Sequence, residues 1–176
     1  MKMQNRIFSV DSAKAVKAQG YGYLNAIHYL APSNLSGFNL CPHASPACAL
    51  ACLGWTSGQA GMVSNDADMN SVRLSRIVKA KRFMREREAY MRDVVRAIEL
   101  AKRAARRKRL KLAVRPNGSS DIAWEGVACV RNGQQYRSIM HAFPELQFVD
   151  YTKNPRRMFA DRIKLSGVGE GGKPTV

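Results

Sequence analysis

From Met62 to Arg115 the chain contains neither glycine nor proline. A run of that length without the two residues that end helices most often has few options other than helix. Within it Tyr90, Met91, Val94, Val95, Ile98, Ala101 and Ala105 recur at the i, i+3, i+4, i+7 spacing of one helix face. Leu74, Ile77, Val78 and Met84 make a rougher stripe upstream. The pattern predicts either one long bent helix or two helices that break near Arg85–Glu88. The stripes read as core packing.

Three segments beside this run have strand character: Tyr21–Leu30, Leu110–Arg115 and Leu146–Asp150. Ser12 is placed to cap a short helix before them. Ala31–Asn39, rich in Pro, Ser, Asn and Gly, predicts a turn. A short helix is expected at Pro46–Leu53, with Ser45 as its cap and Pro46 in its first turn. Gly54–Gly61 reads as loose chain, and Tyr136–Phe143 as a short helix ended by Pro144. Strands alternating with helices predict an α/β fold, a small mostly parallel sheet or partial (β/α) barrel carrying a long basic helical segment. Residues 1–165 are expected to form a single domain, and the Gly-rich tail from Ser166 to Val176 to be disordered.

The stretch from Cys41 to Gly54, CPHASPACALACLG, concentrates three of the four cysteines at spacing Cys-x6-Cys-x3-Cys. Cys48 and Cys52 would share a helix face. Soft thiolates converging on one point suit zinc or an iron–sulfur cluster. Buried inert thiols and disulfides are the competing readings, and the start MKMQNRIFSVDSAKAV lacks the apolar core of a signal peptide, which favours a reducing compartment. The metal candidates are Cys41, Cys48, Cys52 and His43, with Cys129, His28 or His141 as other fourth ligands. The spacing leaves zinc and cluster undecided, because it matches neither the two-residue gap of zinc knuckles nor the usual radical-SAM arrangement.

The 176 residues carry 29 Lys and Arg against 13 Asp and Glu, a net charge of +16. That imbalance favours a polyanion, most simply DNA or RNA, and no apolar run is long enough to cross a membrane. The cations fall in three groups, Arg73–Arg87, Lys102–Lys111 and Lys153–Lys164. Arg73, Arg76, Lys79, Arg82, Arg106, Arg107, Arg115, Asn117 and Lys153 are the candidate nucleic-acid contacts. A solvated helix face plus a basic tail would give the same pattern.

The second and third predicted strands end in polar residues, PNGSSD and DYTK, and the first runs on to Asn34 and the cysteine loop. In parallel sheets and barrels the functional site lies at such C-terminal strand ends. Asp121 and Asp150 are therefore the candidate catalytic carboxylates, set against helix capping for Asp121 and pairing with Lys153 for Asp150. Trp124 reads equally as core or as a stacking platform, Glu125 as a surface acid, and His28 as a satisfied core histidine.

The segments GYLNAIHYLAPSNLSGFNLCPHASPACALACLG, NSVRLSRIVKAKRFM, VRPNGSSDIAWE and FPELQFVDYTK resemble a family of bacteriophage proteins, the gene product 88-like family, over most of residues 20–153. The layout is loosely similar to 7-deazaguanine transglycosylases, which modify tRNA or phage DNA, and to cluster-bearing radical-SAM proteins. The resemblance implies a phage protein of the infected bacterial cytoplasm. Longer family members continue after DYTK with a further strand and a substantial C-terminal part, where this chain has NPRRMFADRIKLSGVGEGGKPTV. If a barrel-type site needs those strands, this version is expected to be a binding-only derivative or to complete its site with another subunit. Three functions compete: a metal-containing enzyme that modifies nucleic-acid bases, a non-catalytic nucleic-acid-binding protein with structural zinc, and an iron–sulfur enzyme acting on a small molecule.

Overall fold

A computed structural model describes residues 6–52, 54 and 69–157. The expected loose segment Gly54–Gly61 past its first residue, the first residues of the Gly- and Pro-free run, the tail from Ser166, and the basic residues Arg162 and Lys164 lie outside the described residues.

The strands are β1 (Phe8–Ser9), β2 (Tyr23–His28), β3 (Lys111–Arg115), β4 (Cys129–Arg131), β5 (Gln134–Tyr136) and β6 (Gln147–Phe148). The α-helices with both ends among the described residues are α1 (Ala13–Lys17), α2 (Pro46–Leu50), α3 (Ser71–Arg85), α4 (Arg87–Arg107) and α5 (Ile139–Ala142). The main sheet has the order β1-β2-β3-β6. β2, β3 and β6 run parallel and β1 closes one edge antiparallel to β2. The fold is thus α/β with a mostly parallel four-stranded sheet, not a closed barrel.

Burial follows from this topology. Leu24, Ala26, Ile27, Leu112 and Val114 are near-continuously apolar and buried, as parallel strands covered by helices require. The α4 stripe supplies Tyr90, Met91, Val94, Val95, Ile98, Ala101 and Ala105, every one buried. The long helical run breaks at Glu86, whose backbone (φ −126, ψ 48) leaves the helical region. Asn70 caps α3 by accepting from the Arg73 N–H at 2.9 Å. Ser12 and Ser45 cap α1 and α2 as expected.

Three strands lie outside the sequence expectation. Edge strand β1 lies before Ser12, where the sequence reading places no strand. β4 and β5 form a hairpin in which Asn132 (φ 51) and Gly133 (φ 79) make the turn. Asn-Gly is the strongest short-range hairpin signal, because both central residues of that turn need positive φ. An Arg131–Glu99 ion pair at 2.7 Å ties the hairpin to α4, and the Arg131 guanidinium sits 3.9 Å from the Phe143 ring centre.

Candidate functional site

A cleft of about 840 Å³ opens at the C-terminal ends of β2, β3 and β6. Its walls come from Pro32 and Ser33 after β2, Arg115 at the end of β3 with Asn117–Asp121 beyond it, Asp150–Lys153 after β6, and the cysteine segment. Cys41, Cys48 and Cys52 all line it. The convergence of the three strand ends read from sequence is therefore the observed arrangement.

One close backbone approach shapes the cleft. The Gly118 N–H donates to the His28 carbonyl at 2.8 Å. A Cβ at Gly118 would lie 2.5 Å from the Tyr29 ring and 2.7 Å from that carbonyl oxygen. Only glycine lets the loop after β3 lie against the end of β2.

Asn117 organises the next shell. Its Nδ2 donates to the Ile122 carbonyl at 2.8 Å and to Asp150 Oδ2 at 2.7 Å. Its Oδ1 accepts from Ser120 Oγ, the Ile122 N–H and Trp124 Nε1 at 2.9, 3.1 and 3.0 Å. Five hydrogen bonds fix a side chain that reads from sequence as a phosphate or base contact. Trp124 is buried in the core, which removes it as a stacking platform.

Arg157 grips three carboxylates at once. Nη1 donates to Asp121 Oδ1 at 2.7 Å, and Nη2 to Asp150 Oδ2 at 3.1 Å. Nε and Nη2 take the two Glu125 oxygens at 2.7 and 2.9 Å. The Lys153 N–H donates to the second Asp121 oxygen at 2.8 Å, and the Tyr151 N–H to Asp150 Oδ1 at 2.9 Å. Burial works against ionising Glu125, yet the Arg157 bonds outweigh it and hold that carboxyl below its usual range. For Asp150 burial wins and the carboxyl is pushed up. Asp121 and Asp150 do meet at the cleft, but as members of an ion-pair network. Glu125 belongs to it rather than to the surface. The centre is Arg157, which the sequence presents only as one of a basic group.

The thiols are partly buried, and no disulfide joins them. Burial pushes Cys41 and Cys52 up, and the neighbouring Cys48 adds to this at Cys52. The Ser33 N–H donates to Cys41 Sγ at 3.3 Å. Among the described residues no three His, Cys, Asp or Glu side chains are drawn together tightly enough to hold a metal as they stand. His43 is exposed and its Nε2 lies 3.0 Å from Asn154 Nδ2. Cys129 is buried in the hairpin, and His141 is exposed on α5 with its Nδ1 2.8 Å from Ser138 Oγ. His28 is the core histidine its position suggests: Nδ1–H donates to the Pro116 carbonyl at 3.1 Å and Nε2 accepts from Tyr90 O–H at 2.7 Å. Burial, reinforced by the Lys79 charge, lowers its pKa to about 3.

The basic candidates divide by place. Arg115 and Lys153 line the cleft. Arg73, Arg76 and Lys79 are buried, at 1%, 4% and 6% exposure, rather than displayed on a helix face. Arg76 sits 4.5 Å from the Tyr29 ring centre. Burial, and then Arg76, lowers Lys79 to about 8. Arg82 pairs with Asp93 at 2.9 Å. Arg106 and Arg107 are exposed at the end of α4. Arg106 borders a groove with Tyr23, Lys111 and Gln147, the first residues of β2, β3 and β6. That groove is at the opposite end of the sheet from the cleft.

The fold and the cysteine-lined cleft together define an α/β protein with its polar groups gathered at the strand ends. A family model described as Gene product 88 matches residues 5–166, and the chain belongs to that family. No curated protein and no solved structure matches it. No helix among the described residues is long and apolar enough to cross a membrane.

Proposed function

We propose that this phage protein acts on nucleic acid in the host cytoplasm, with the strand-end cleft as its site and a zinc ion or iron–sulfur cluster held there by Cys41, Cys48 and Cys52. The observation that carries this is the meeting of three thiols and the polar ends of three parallel strands on one cleft. Three thiolates suit either group, and metal binding would draw them together and displace their protons. The net charge of +16 supplies the attraction to phosphate. In the base-modifying form of this function, Asp121 or Asp150 acts on the reacting base as general base or nucleophile.

The Arg157 network favours a second reading, a nucleic-acid-binding protein in which the metal is structural. Both oxygens of Asp121 and both of Asp150 already accept hydrogen bonds. A carboxylate so saturated is better suited to positioning than to proton transfer.

Titration of the native protein with a single-stranded oligonucleotide over a range of salt tests the shared claim. Binding that weakens steeply with salt is expected, and binding that is absent or indifferent to salt contradicts it. Asp121→Asn separates the two forms. Loss of a base change with binding kept assigns chemistry, and unaltered bases in nucleic acid incubated with the native protein assign binding alone.

A further inference from the structure

We propose that Tyr151 is a stacking platform for a nucleobase of single-stranded nucleic acid at the mouth of the strand-end cleft. This rests on the nucleic-acid function proposed above and adds the group that takes the base. Tyr151 lines the cleft and is 64% exposed. Tyr21 is comparably exposed but lies beside the first residue of β2, at the other end of the sheet.

The ring is held rather than loose. The Arg115 guanidinium sits 4.6 Å from its centre. Arg115 is itself anchored through Nε to the Asn117 carbonyl at 3.1 Å. The Tyr151 N–H is tied to Asp150, whose other oxygen is tied to Asn117 and Arg157. One part of the ring is thus covered by a cation on a fixed frame, while most of it faces water. A preordered aromatic of that kind is what base stacking uses, since every base offers a π-face. Lys153 and Lys14 line the same cleft and supply charge for the flanking phosphates. A purely acidic ligand would use the cations and leave the ring exposed.

The test compares native protein, Tyr151→Ala, Tyr151→Phe and Lys153→Ala, using a short single-stranded oligonucleotide with one 2-aminopurine as the probe. AMP and polyaspartate serve as competitors, and circular dichroism checks the fold. Tyr151 is exposed, so its variants should fold. Tyr151→Ala should bind roughly 5- to 100-fold more weakly with an unchanged salt slope and lose the fluorescence quenching of stacking. Tyr151→Phe should stay within about twofold of native. Lys153→Ala should reduce the salt slope by about one.

If Tyr151→Ala binds and quenches like native while Lys153→Ala weakens binding, the platform is wrong and the nucleic-acid function stands. If native protein binds neither strand nor AMP, both fail. Competition by AMP as strong as by the strand supports the platform and points to a mononucleotide. Competition by polyaspartate as strong as by the strand overturns the platform.

Discussion

Arg157 Nη1 donates to Asp121 Oδ1 at 2.7 Å, joining residues 36 apart in the chain. Asp121 and Glu125 follow β3 and Arg157 follows β6, so these two pairings stitch together the segments after the two strands, while the bond to Asp150 closes the segment after β6 on itself. Arg157 and Asp121 side chains are only 12% and 8% exposed, which makes the network a weak source of net stability when whole and a costly one to break.

Arg157→Gln should therefore destabilise the protein by about 3 kcal/mol at neutral pH, as three carboxylates lose their cation. The sign with pH is fixed by Glu125, whose pKa in the native chain is depressed. That contribution is present at neutral pH and fades as pH falls through the carboxylate range. Urea unfolding of both chains at pH 7 and pH 4 should show the gap narrowing on acidification. An equal gap at both values would mean that the carboxylates do not depend on Arg157.

Asn117→Ala should cost about 3 kcal/mol, because it leaves Trp124 Nε1 and the Ile122 N–H without their partner. Thermal unfolding measures the loss. A change below about 0.5 kcal/mol, the range of ordinary surface substitutions, would contradict the hub role.

Gly118→Ala should be destabilising by about 1–3 kcal/mol, since its Cβ meets both the Tyr29 ring and the His28 carbonyl. The tryptophan environment, followed by fluorescence, should shift with it as the β3 loop moves. A variant as stable as native would show that the loop has room the geometry denies.

His28 makes the fold acid-sensitive. Its folded pKa of about 3 lies below the ordinary 6.5, so between those values the unfolded chain takes a proton that the folded chain refuses. Stability from this group is full above pH 6.5 and is lost on acidification, by about 2 kcal/mol at pH 5. His28→Gln should flatten that part of the profile in denaturant titrations between pH 5 and 7. An unchanged slope would place the acid sensitivity elsewhere.

Much of this architecture is legible in the residues themselves. The α4 stripe, the three parallel strands and the gathering of PNGSSD, DYTK and the cysteines follow from periodicity and from the rule that sites sit at strand ends. The stripes leave one bent helix or a break near Arg85–Glu88, and the backbone at Glu86 decides for the break. The hairpin at Asn132-Gly133 carried a readable signal, masked by the short strands around it. What periodicity cannot give is long-range pairing. Nothing local distinguishes Arg157 from Arg156, and only the fold brings it to Asp121, Glu125 and Asp150. Arg73, Arg76 and Lys79 read as nucleic-acid contacts because charge predicts exposure, yet α3 turns that side inward beside Ile77, Ala80 and Phe83.

The most direct test of the proposed site is elemental analysis with a UV–visible spectrum on protein purified without oxygen, for native, Cys48→Ser and Cys129→Ala chains. One zinc per chain, or iron with sulfide and visible absorbance, is expected in the native and Cys129→Ala proteins and should be lost in Cys48→Ser. Metal absent from all three, or retained in Cys48→Ser, would contradict a thiolate centre in the strand-end cleft.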